Sequence, residues 1–182
     1  DLCTSRTYGL LDQLLTWSRA NSGRLPYKPE PLNLKSEVDL ALVLMQEVAR
    51  AKSIAITNLV DKDIRVMADS EMLATILRNM ISNAIKYSFP KGKINIGTTS
   101  VDIDEGFIGV YIQDFGIGMG QETISTLFKT GKGKTQIGTA NELGTGLGLV
   151  IVDEFVNAHG GKIHISSEEG TGSTFVFTLQ KP

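Results

Sequence analysis

Three short segments of this chain carry residue types that suit one piece of chemistry, the binding of a nucleotide together with Mg²⁺. Residues 79–87 place asparagine, lysine and tyrosine side chains along a predicted helix. Residues 114–119 put an aspartate before two glycines, and residues 144–149 open another predicted helix with alternating glycines. Amide oxygens suit Mg²⁺, a helix N-terminus suits phosphate, and glycine lets the backbone approach a ligand closely. Each segment alone would be weak support, whereas the three in this order predict a pocket for a metal–nucleotide complex.

The first segment presents its polar side chains on one side of the predicted helix. At about 100° per residue, Asn79, Asn83 and Lys86 fall within an arc of about 60°, away from the apolar stripe of the same helix. The amide oxygen of Asn83 can ligate Mg²⁺, Lys86 can neutralise a phosphate, and Tyr87 can stack on a base. A solvated polar face is the ordinary alternative, and the helix alone leaves both interpretations open.

The second segment joins a carboxylate to a glycine turn. Asp114 ends an apolar predicted strand and is followed by Gly116 and Gly118. A carboxylate at a strand end can accept a hydrogen bond from the exocyclic amine of adenine, whereas it would repel the carbonyl of guanine. An ordinary Asp-x-Gly turn is the alternative.

The third segment resembles a phosphate-binding helix start. Gly144, Gly146 and Gly148 offer bare amides at the positive end of a helix. No Gly-Lys-Ser/Thr follows, so this is not a Walker motif. It is not a dinucleotide fingerprint either, because no predicted strand leads into the glycines. A flexible linker is the alternative, but Leu147 and Leu149 favour a buried helix.

Composition allows one folded domain plus an extension. The chain has 182 residues, 41% of them hydrophobic, and a net charge of −2, which gives no broad attraction for nucleic acid. Its single cysteine, Cys3, excludes an internal disulfide. With no apolar run of about 18 residues and no signal peptide, a soluble chain is expected. Its first residue is Asp, which suggests a piece of a longer protein.

Periodicity and glycine content divide the chain into a helical front and an α/β rear. An apolar stripe predicts a helix over residues 2–21, and a proline-rich linker follows. Seventeen of the 19 glycines lie from residue 92 to residue 172. Residues 129–144 are polar, and their lysines at 129, 132 and 134 could reach phosphates if the segment closes as a lid, although solvated loop charges are as good an interpretation. The predicted units are residues 1–24, linker 25–33 and domain 34–182, with the lid at about 129–144.

The order of predicted elements indicates the fold class. Strand pairs separated by helices predict an α+β fold, a two-layer α/β sandwich. We expect a mixed sheet of about five or more strands, with three helices on one face and a further helix before it. The predicted helices cover residues 36–52, 69–87, 121–128 and 146–158, and the predicted strands cover residues 54–58, 64–67, 93–103, 107–113, 162–167 and 173–180.

These segments resemble the ATP-binding catalytic domain of sensor histidine kinases, in the superfamily that also holds gyrase-type and heat-shock chaperone ATPases. Residues 79–87 are similar to its asparagine box, and residues 114–119 and 144–149 to its two glycine boxes. Residues 127–128 are similar to its phenylalanine box and residues 170–175 to a terminal glycine box. The resemblance covers about residues 31–179 and implies a Bergerat-type fold. Residues 14–19 resemble the end of the dimerisation and phosphotransfer helices that precede this domain.

The resemblance implies ATP and Mg²⁺ as cofactors and assigns a role to each matching residue. Asn83 would bind Mg²⁺ with Asn79 beside it, and Lys86 would meet phosphate. Asp114 would read adenine, with Thr174 supporting it through water. The full implied set for ATP is Asn79, Asn83, Lys86, Tyr87, Asp114, Gly116, Gly118, Phe128, Lys129, Gly144, Thr145, Gly146, Leu147, Gly148 and Thr174.

The chain departs from the family in lacking an acceptor histidine. His159 lies at a helix end and His164 in a strand, and neither is in an acceptor-like context, so both are assigned to structure. The acceptor would then lie on an upstream helical domain of the parent protein. The other implied partner is a response-regulator receiver domain, and no nucleic-acid partner is expected. The parent would be a homodimer anchored in the inner or plasma membrane of a bacterium, with this domain in the cytoplasm, while a monomeric state of the chain itself is left open.

One position favours a kinase over a hydrolase. Hydrolytic relatives carry a glutamate four residues before the Mg²⁺ asparagine, and here that residue is Asn79, whose amide cannot act as a general base. Phosphoryl transfer needs positioning and charge neutralisation rather than a nucleophile of the pocket's own. We therefore expect a protein-histidine kinase module. The alternatives are an anti-sigma-type serine kinase and a nucleotide-binding module that transfers nothing.

Overall fold

The computed structural model describes residues 27–128, 138–140 and 146–182. The predicted helix at residues 2–21 lies outside these ranges. In chain order the elements are β1 (Glu30–Asn33), α1 (Leu34–Ala51), β2 (Ala55–Asn58), β3 (Arg65–Ala68), α2 (Ser70–Tyr87), β4 (Lys93–Thr99), β5 (Phe107–Asp114), α3 (Gln121–Thr126), α4 (Gly148–Ala158), β6 (Ile163–Glu168) and β7 (Gly172–Gln180).

The strands of the described ranges form one mixed sheet of seven strands. Its order is β1-β3-β7-β5-β4-β2, and β6 pairs with β7 off this path. The pairing of β2 with β4 is parallel, and the other pairings are antiparallel. The predicted α+β class and mixed sheet are confirmed.

The core lies between one face of this sheet and the helices. Alternate residues of the central strands, such as Ile96, Val110 and Phe177, are fully buried. They share one apolar cluster with residues of α1, α2 and α4. Burying each such side chain stabilises the fold by about 1.5–3 kcal/mol. The sheet thus holds the three helices in fixed positions, and the polar residues that those helices carry are fixed with them. Among the described helices, none is long and apolar enough to cross a membrane.

Helix α2 forms because its apolar pattern and its cap agree. Leu73, Ile76 and Leu77 are fully buried at helical spacing. Its cap is Asp69, whose side chain accepts a hydrogen bond from the backbone N–H of Met72 at 3.1 Å. The helix ends at Tyr87, as predicted.

The chain before α1 differs from the predicted connector. Strand β1 includes Pro31 and pairs with β3 at the edge of the sheet, where a residue without an N–H is tolerated. Helix α1 begins two residues before the predicted start at Ser36, because Asn33 is its cap and accepts a hydrogen bond from the backbone N–H of Ser36 at 3.0 Å.

His159 joins the end of α4 to the start of α2. Its Nε2 accepts a hydrogen bond from the backbone N–H of Asp69 at 3.0 Å, so Nδ1 carries the proton and donates to the carbonyl of Phe155 at 2.6 Å. The ring also lies nearly perpendicular to that of Tyr27, with centroids 5.1 Å apart. These contacts agree with the structural role expected of this histidine.

Substituting His159→Ala is expected to lower the free energy of unfolding by about 2 kcal/mol, because the buried N–H of Asp69 loses its acceptor. Urea unfolding followed by circular dichroism measures the effect. The exposed His164 on β6 supplies the control, and His164→Ala should stay within about 0.5 kcal/mol of the wild type. Equal stability of the two variants would contradict the assigned role of His159.

Candidate nucleotide-binding site

The polar residues predicted from the first segment lie on one side of α2. Asn79, Asn83, Lys86 and Tyr87 are half-buried, between the core and solvent. Four of the residues between them on the helix, Met80, Ile81, Ala84 and Ile85, are buried, and Ser82 is exposed. This side of α2 borders the core without being part of it, which is where a ligand could reach the polar atoms.

Asn79 brings the first and third segments together. Its Nδ2 donates to the carbonyl of Thr75 at 2.9 Å, so its Oδ1 points away from that turn. A Cβ atom at Gly148 would lie 2.8 Å from this Oδ1. Glycine at the first residue of α4 therefore allows the N-terminus of α4 to approach the asparagine-bearing side of α2.

The amide of Asn83 could hold an Mg²⁺ ion together with phosphate oxygens. Within the described ranges, no hydrogen bond engages its side-chain amide, and no group of three or more His, Cys, Asp or Glu residues could hold a metal. A metal bound here would take the amide oxygen of Asn83 and fill its other positions from the ligand and from water. Mg²⁺ coordinates in this way when it accompanies a nucleotide.

Lys86 and Tyr87 set a cation beside an aromatic ring at the end of α2. The ammonium of Lys86 donates to the hydroxyl of Tyr87 at 3.1 Å and lies 4.7 Å from the ring centroid. The two side chains therefore occupy the same region. A charge for phosphate and a flat surface for a sugar or base are thus placed one turn beyond Asn83.

Asp114 is a buried carboxylate at the end of β5. It is 5% exposed, and Oδ1 accepts the backbone N–H of Gly116 at 2.9 Å. Burial raises the pKa of this carboxyl, and backbone hydrogen bonds from Gly116 and Ser173 oppose the rise. Among the described residues, no ion pair compensates its charge. A buried acid of this kind is typical of a site that receives a ligand.

The glycine turn after Asp114 is held between α2 and the β6–β7 hairpin. The backbone N–H of Ile117 donates to the carbonyl of Tyr87 at 3.1 Å, and a Cβ atom at Gly116 would overlap that carbonyl. Gly118 has φ +62°, and a Cβ atom there would overlap the carbonyl of Glu168. Both glycines thus allow close approach of protein backbone, which fixes the turn beside the carboxylate.

The structure does not bring Thr174 to Asp114. In the β5–β7 register Asp114 lies opposite Ser173, and Thr174 lies opposite Gln113. Because side chains alternate along a strand, Ser173 shares the face of Asp114 and Thr174 lies on the other face. Ser173 is the residue that the sequence reasoning missed. Alternation along β7 shows which face Ser173 lies on, but the residue of β5 that it meets depends on the register between the two strands.

The remaining predicted residues lie near the third segment. Gly146 has φ +73°, and Leu147 caps α4 by accepting the backbone N–H of Ile151 at 3.0 Å. Helix α4 begins at Gly148, two residues later than predicted, because the positive φ of Gly146 precludes helix there. Phe128 is half-buried just after α3. Lys129, Gly144 and Thr145 lie outside the described residues.

The combination of an amide-bearing helix, a buried carboxylate and a glycine-opened helix is matched by a known protein family. The family model described as histidine kinase-, DNA gyrase B-, and HSP90-like ATPase matches residues 68–182, which include all three features. The chain belongs to this ATPase family. The resemblance expected from the sequence is confirmed, and ATP binding is the property that the family shares.

Two curated proteins that are similar to this chain are sensor kinases. The sensor histidine kinase WalK of Bacillus subtilis (strain 168) is 33% identical over 178 residues, which are 97% of this chain and 29% of WalK. The signal transduction histidine-protein kinase BarA of Escherichia coli (strain K12) is 31% identical over 179 residues, 93% of this chain and 19% of BarA. The chain therefore spans less than a third of either relative.

Solved structures agree with the fold. The catalytic domain of histidine kinase ThkA is 28% identical with a TM-score of 0.71, over 85% of this chain and 96% of that domain. Full-length ShkA in complex with AMPPNP has a TM-score of 0.80 at 23% identity, over 97% of this chain and 36% of ShkA, which supports the fold alone. The fold of these two structures covers 85% or more of this chain.

Proposed function

We propose that this chain is the ATP-binding catalytic domain of a sensor histidine kinase. It binds Mg-ATP and donates the γ-phosphoryl group to a histidine on an upstream helical domain of its parent protein. The observation that carries the proposal is the buried carboxylate of Asp114, which lies without an ion-pair partner among the described residues and beside a turn fixed to α2. Similarity to sensor kinases over nearly the whole chain supports the class of reaction.

Each polar group of the site has a distinct task in this proposal. Asp114 accepts a hydrogen bond from the exocyclic amine of adenine. It so selects ATP over GTP, because guanine has a carbonyl in that place. Asn83 would hold Mg²⁺, and Lys86 would lie against the phosphates. The metal ion, when bound, supplies neutralisation of phosphate charge. The residues of this chain orient the nucleotide and leave its terminal phosphate toward the incoming imidazole.

The neutral side chain of Asn79 supports transfer to protein rather than to water. Its Nδ2 already donates to the carbonyl of Thr75, and an amide has no lone pair basic enough to remove a proton from water. The γ-phosphoryl group therefore stays on ATP until the acceptor imidazole attacks. A bond then forms between phosphorus and the imidazole nitrogen, the bond to the bridging oxygen breaks, and ADP leaves.

The proposal implies two protein partners. One is the phosphoacceptor helical domain of the same parent, a membrane-anchored homodimer. The other is a response-regulator receiver domain, which takes the phosphoryl group from the histidine. Among solved structures of similar fold is ThkA in complex with the response regulator protein TrrA. That complex is consistent with a receiver domain as the second partner.

The test uses γ-labelled Mg-ATP and the upstream helical segment of the parent protein, supplied as a separate chain. We expect label on that segment that survives base and is lost in acid, as phosphohistidine is. The variant Asn83→Ala should bind and transfer at least about tenfold less, because it removes the metal's amide ligand. As a further control, the helical segment is incubated with labelled Mg-ATP in the absence of this chain.

Each alternative gives a different result. If ATP binds but no label moves, a version with the acceptor segment covalently fused decides whether transfer needs tethering. A fused version that still shows no label would overturn the kinase assignment in favour of a nucleotide-gated interaction module. Label that survives acid would indicate a serine kinase instead. Absence of ATP binding by the wild-type chain would overturn the nucleotide site itself.

A further inference from the structure

The last turn of α2 is a junction of three chain segments. A helix leaves its final four carbonyl groups without partners inside the helix. Here the carbonyls of Ile85, Lys86, Tyr87 and Ser88 accept hydrogen bonds from Lys52, from Thr139 and from the glycine turn. The side chains of Lys86 and Tyr87 project from this same turn. Whatever fixes these carbonyls therefore also fixes the direction of two residues of the candidate site.

Lys52 is a buried lysine whose ammonium lies against this turn. It follows α1 and is 8% exposed. Its Nζ donates to the carbonyls of Ile85 and Lys86, both at 2.9 Å, and to the hydroxyl of Thr139 at 2.7 Å. All three of these acceptors suit an ammonium group, and the negative end of a helix favours a cation.

Thr139 binds the same carbonyls from the other side. Its backbone N–H donates to the carbonyl of Lys86 at 3.1 Å, and its hydroxyl donates to the carbonyl of Ser88 at 2.6 Å. The carbonyl of Lys86 thus accepts hydrogen bonds from both Lys52 and Thr139. Thr139 belongs to residues 138–140, the described part of the segment that the sequence predicts as a lid.

A buried lysine and the end of a helix satisfy each other. Burying an ammonium group is unfavourable unless it is hydrogen-bonded, and the end of a helix offers carbonyls that need donors. Among the described residues, the ammonium of Lys52 donates to the turn that carries Lys86 and to Thr139. The charge is thus placed where it orients site residues.

We propose that Lys52 is a positioning residue for the phosphate end of the nucleotide. With Thr139, it holds the carbonyls of the last turn of α2 so that Lys86 meets the phosphates of ATP. The inference rests on the proposed ATP-binding function. Asp114, at the adenine end, has no contact with Lys52 in the described contacts, so adenine recognition does not depend on it.

The experiment compares binding of ATP and of adenosine by the Lys52→Met variant, which keeps the length of the side chain but removes its charge. We expect the Kd for ATP to rise about tenfold, as for other residues that orient a ligand-binding group. The Kd for adenosine should change less than about twofold, because adenosine lacks the phosphates that Lys86 meets. Isothermal titration calorimetry measures both, and a thermal melt checks that the variant is folded. The exposed Lys62→Met is the matched control, with both affinities unchanged.

A second pair of variants tests the same junction through Thr139. Thr139→Val removes the hydroxyl and should weaken ATP binding, whereas Thr139→Ser keeps the hydroxyl and should bind as the wild type does. Combining Lys52→Met with Thr139→Val should add little to Lys52→Met alone, because the two side chains act as one hydrogen-bonded unit.

The outcomes separate this inference from the proposed function. A wild-type chain that binds no ATP overturns both. Unchanged ATP affinity in Lys52→Met, or equal weakening of ATP and adenosine, overturns the positioning role alone. If Lys52→Met does not fold, the Thr139 pair decides, and equal ATP affinity of Thr139→Val and Thr139→Ser overturns the inference.

Discussion

Substituting Asp114→Asn is expected to raise the Kd for ATP by about 100-fold, the loss of one buried hydrogen bond to a charged group. The asparagine can keep the hydrogen bond from the backbone N–H of Gly116, so the turn should stay in place. It loses the negative charge. Its NH₂ group is a donor that would face the amine of adenine, which is also a donor, so no hydrogen bond forms between them. Calorimetric titration with ATP and GTP measures the change, and discrimination between the two nucleotides should fall with it.

The same substitution should not destabilise the chain without nucleotide. Burial raises the pKa of Asp114 in the folded state, so the ionised carboxylate is disfavoured by folding. Its contribution to stability is fully present below the ordinary aspartate pKa and is lost as pH rises through the raised folded pKa. Asparagine does not titrate, so at neutral pH the variant should melt close to the wild-type temperature, because avoiding a buried charge offsets a weaker hydrogen bond from the backbone of Ser173. ATP affinity of the wild type should fall as acidification protonates Asp114.

The matched control is Asp102→Asn, at an exposed aspartate in the turn between β4 and β5. It removes the same charge from the chain, and we expect no change in ATP affinity. Unchanged affinity of Asp114→Asn would show that the adenine end of the site lies elsewhere. A large loss of thermal stability in Asp114→Asn would contradict the assigned effect of burial on its pKa.

Substituting Gly118→Ala is expected to lower the free energy of unfolding by about 4 kcal/mol or more, or to displace the turn. Gly118 has φ +62°, a conformation in which a Cβ atom is strained by about 1–2 kcal/mol. A Cβ atom would also overlap the backbone carbonyl of Glu168, which no side-chain rotation can relieve. Denaturant unfolding measures the stability, and calorimetry measures the accompanying loss of ATP binding.

Gly170→Ala separates the two causes. Gly170 also has a positive φ, +77°, but a Cβ atom there meets nothing within 4 Å. The free energy of unfolding of this variant should fall by only about 1 kcal/mol, because the backbone is strained but no atoms overlap. Similar losses in Gly118→Ala and Gly170→Ala would mean that the contact with the β6–β7 hairpin does not fix the turn.

Local signals explain why α2 and the end of β5 could be predicted. The cap at Asp69 and the apolar spacing of Leu73, Ile76 and Leu77 lie within one stretch of sequence and agree with each other. Asp114 follows a strand whose alternation is plain, so its place at the strand end could be read without any distant contact. Polar residues on such elements come into position with them.

Errors arose where the deciding contact lies far along the chain. Pro31 suggested a connector, and only pairing with β3 at the sheet edge makes it a strand residue. Ser173 was not singled out from the sequence because the register between β5 and β7 cannot be read from either strand alone. Lys52 gave no signal at all, since a lysine at a helix end ordinarily has its charge in water.

Helix α1 shows that hydrophobic spacing does not always predict which side of a helix is buried. It carries two apolar stripes, and the side that packs on the sheet includes Leu34 and Val38. The other stripe contains Leu40, Val43 and Leu44, which are more than half exposed at 59%, 67% and 62%. Hydrophobic spacing predicts that a helix is present, but the choice between two such stripes depends on the shape of the sheet beneath it.

Strand β7 is the last strand of this chain, yet it lies in the middle of the sheet between β3 and β5. During translation, β5 therefore leaves the ribosome long before the strand that lies beside it. The carboxylate of Asp114 acquires its neighbour Ser173, and the turn at Gly118 acquires its contact with Glu168, only when that final stretch has emerged. Contacts so distant in sequence form late. The turn beside Asp114 consequently cannot take its final form until β6 and β7 have emerged.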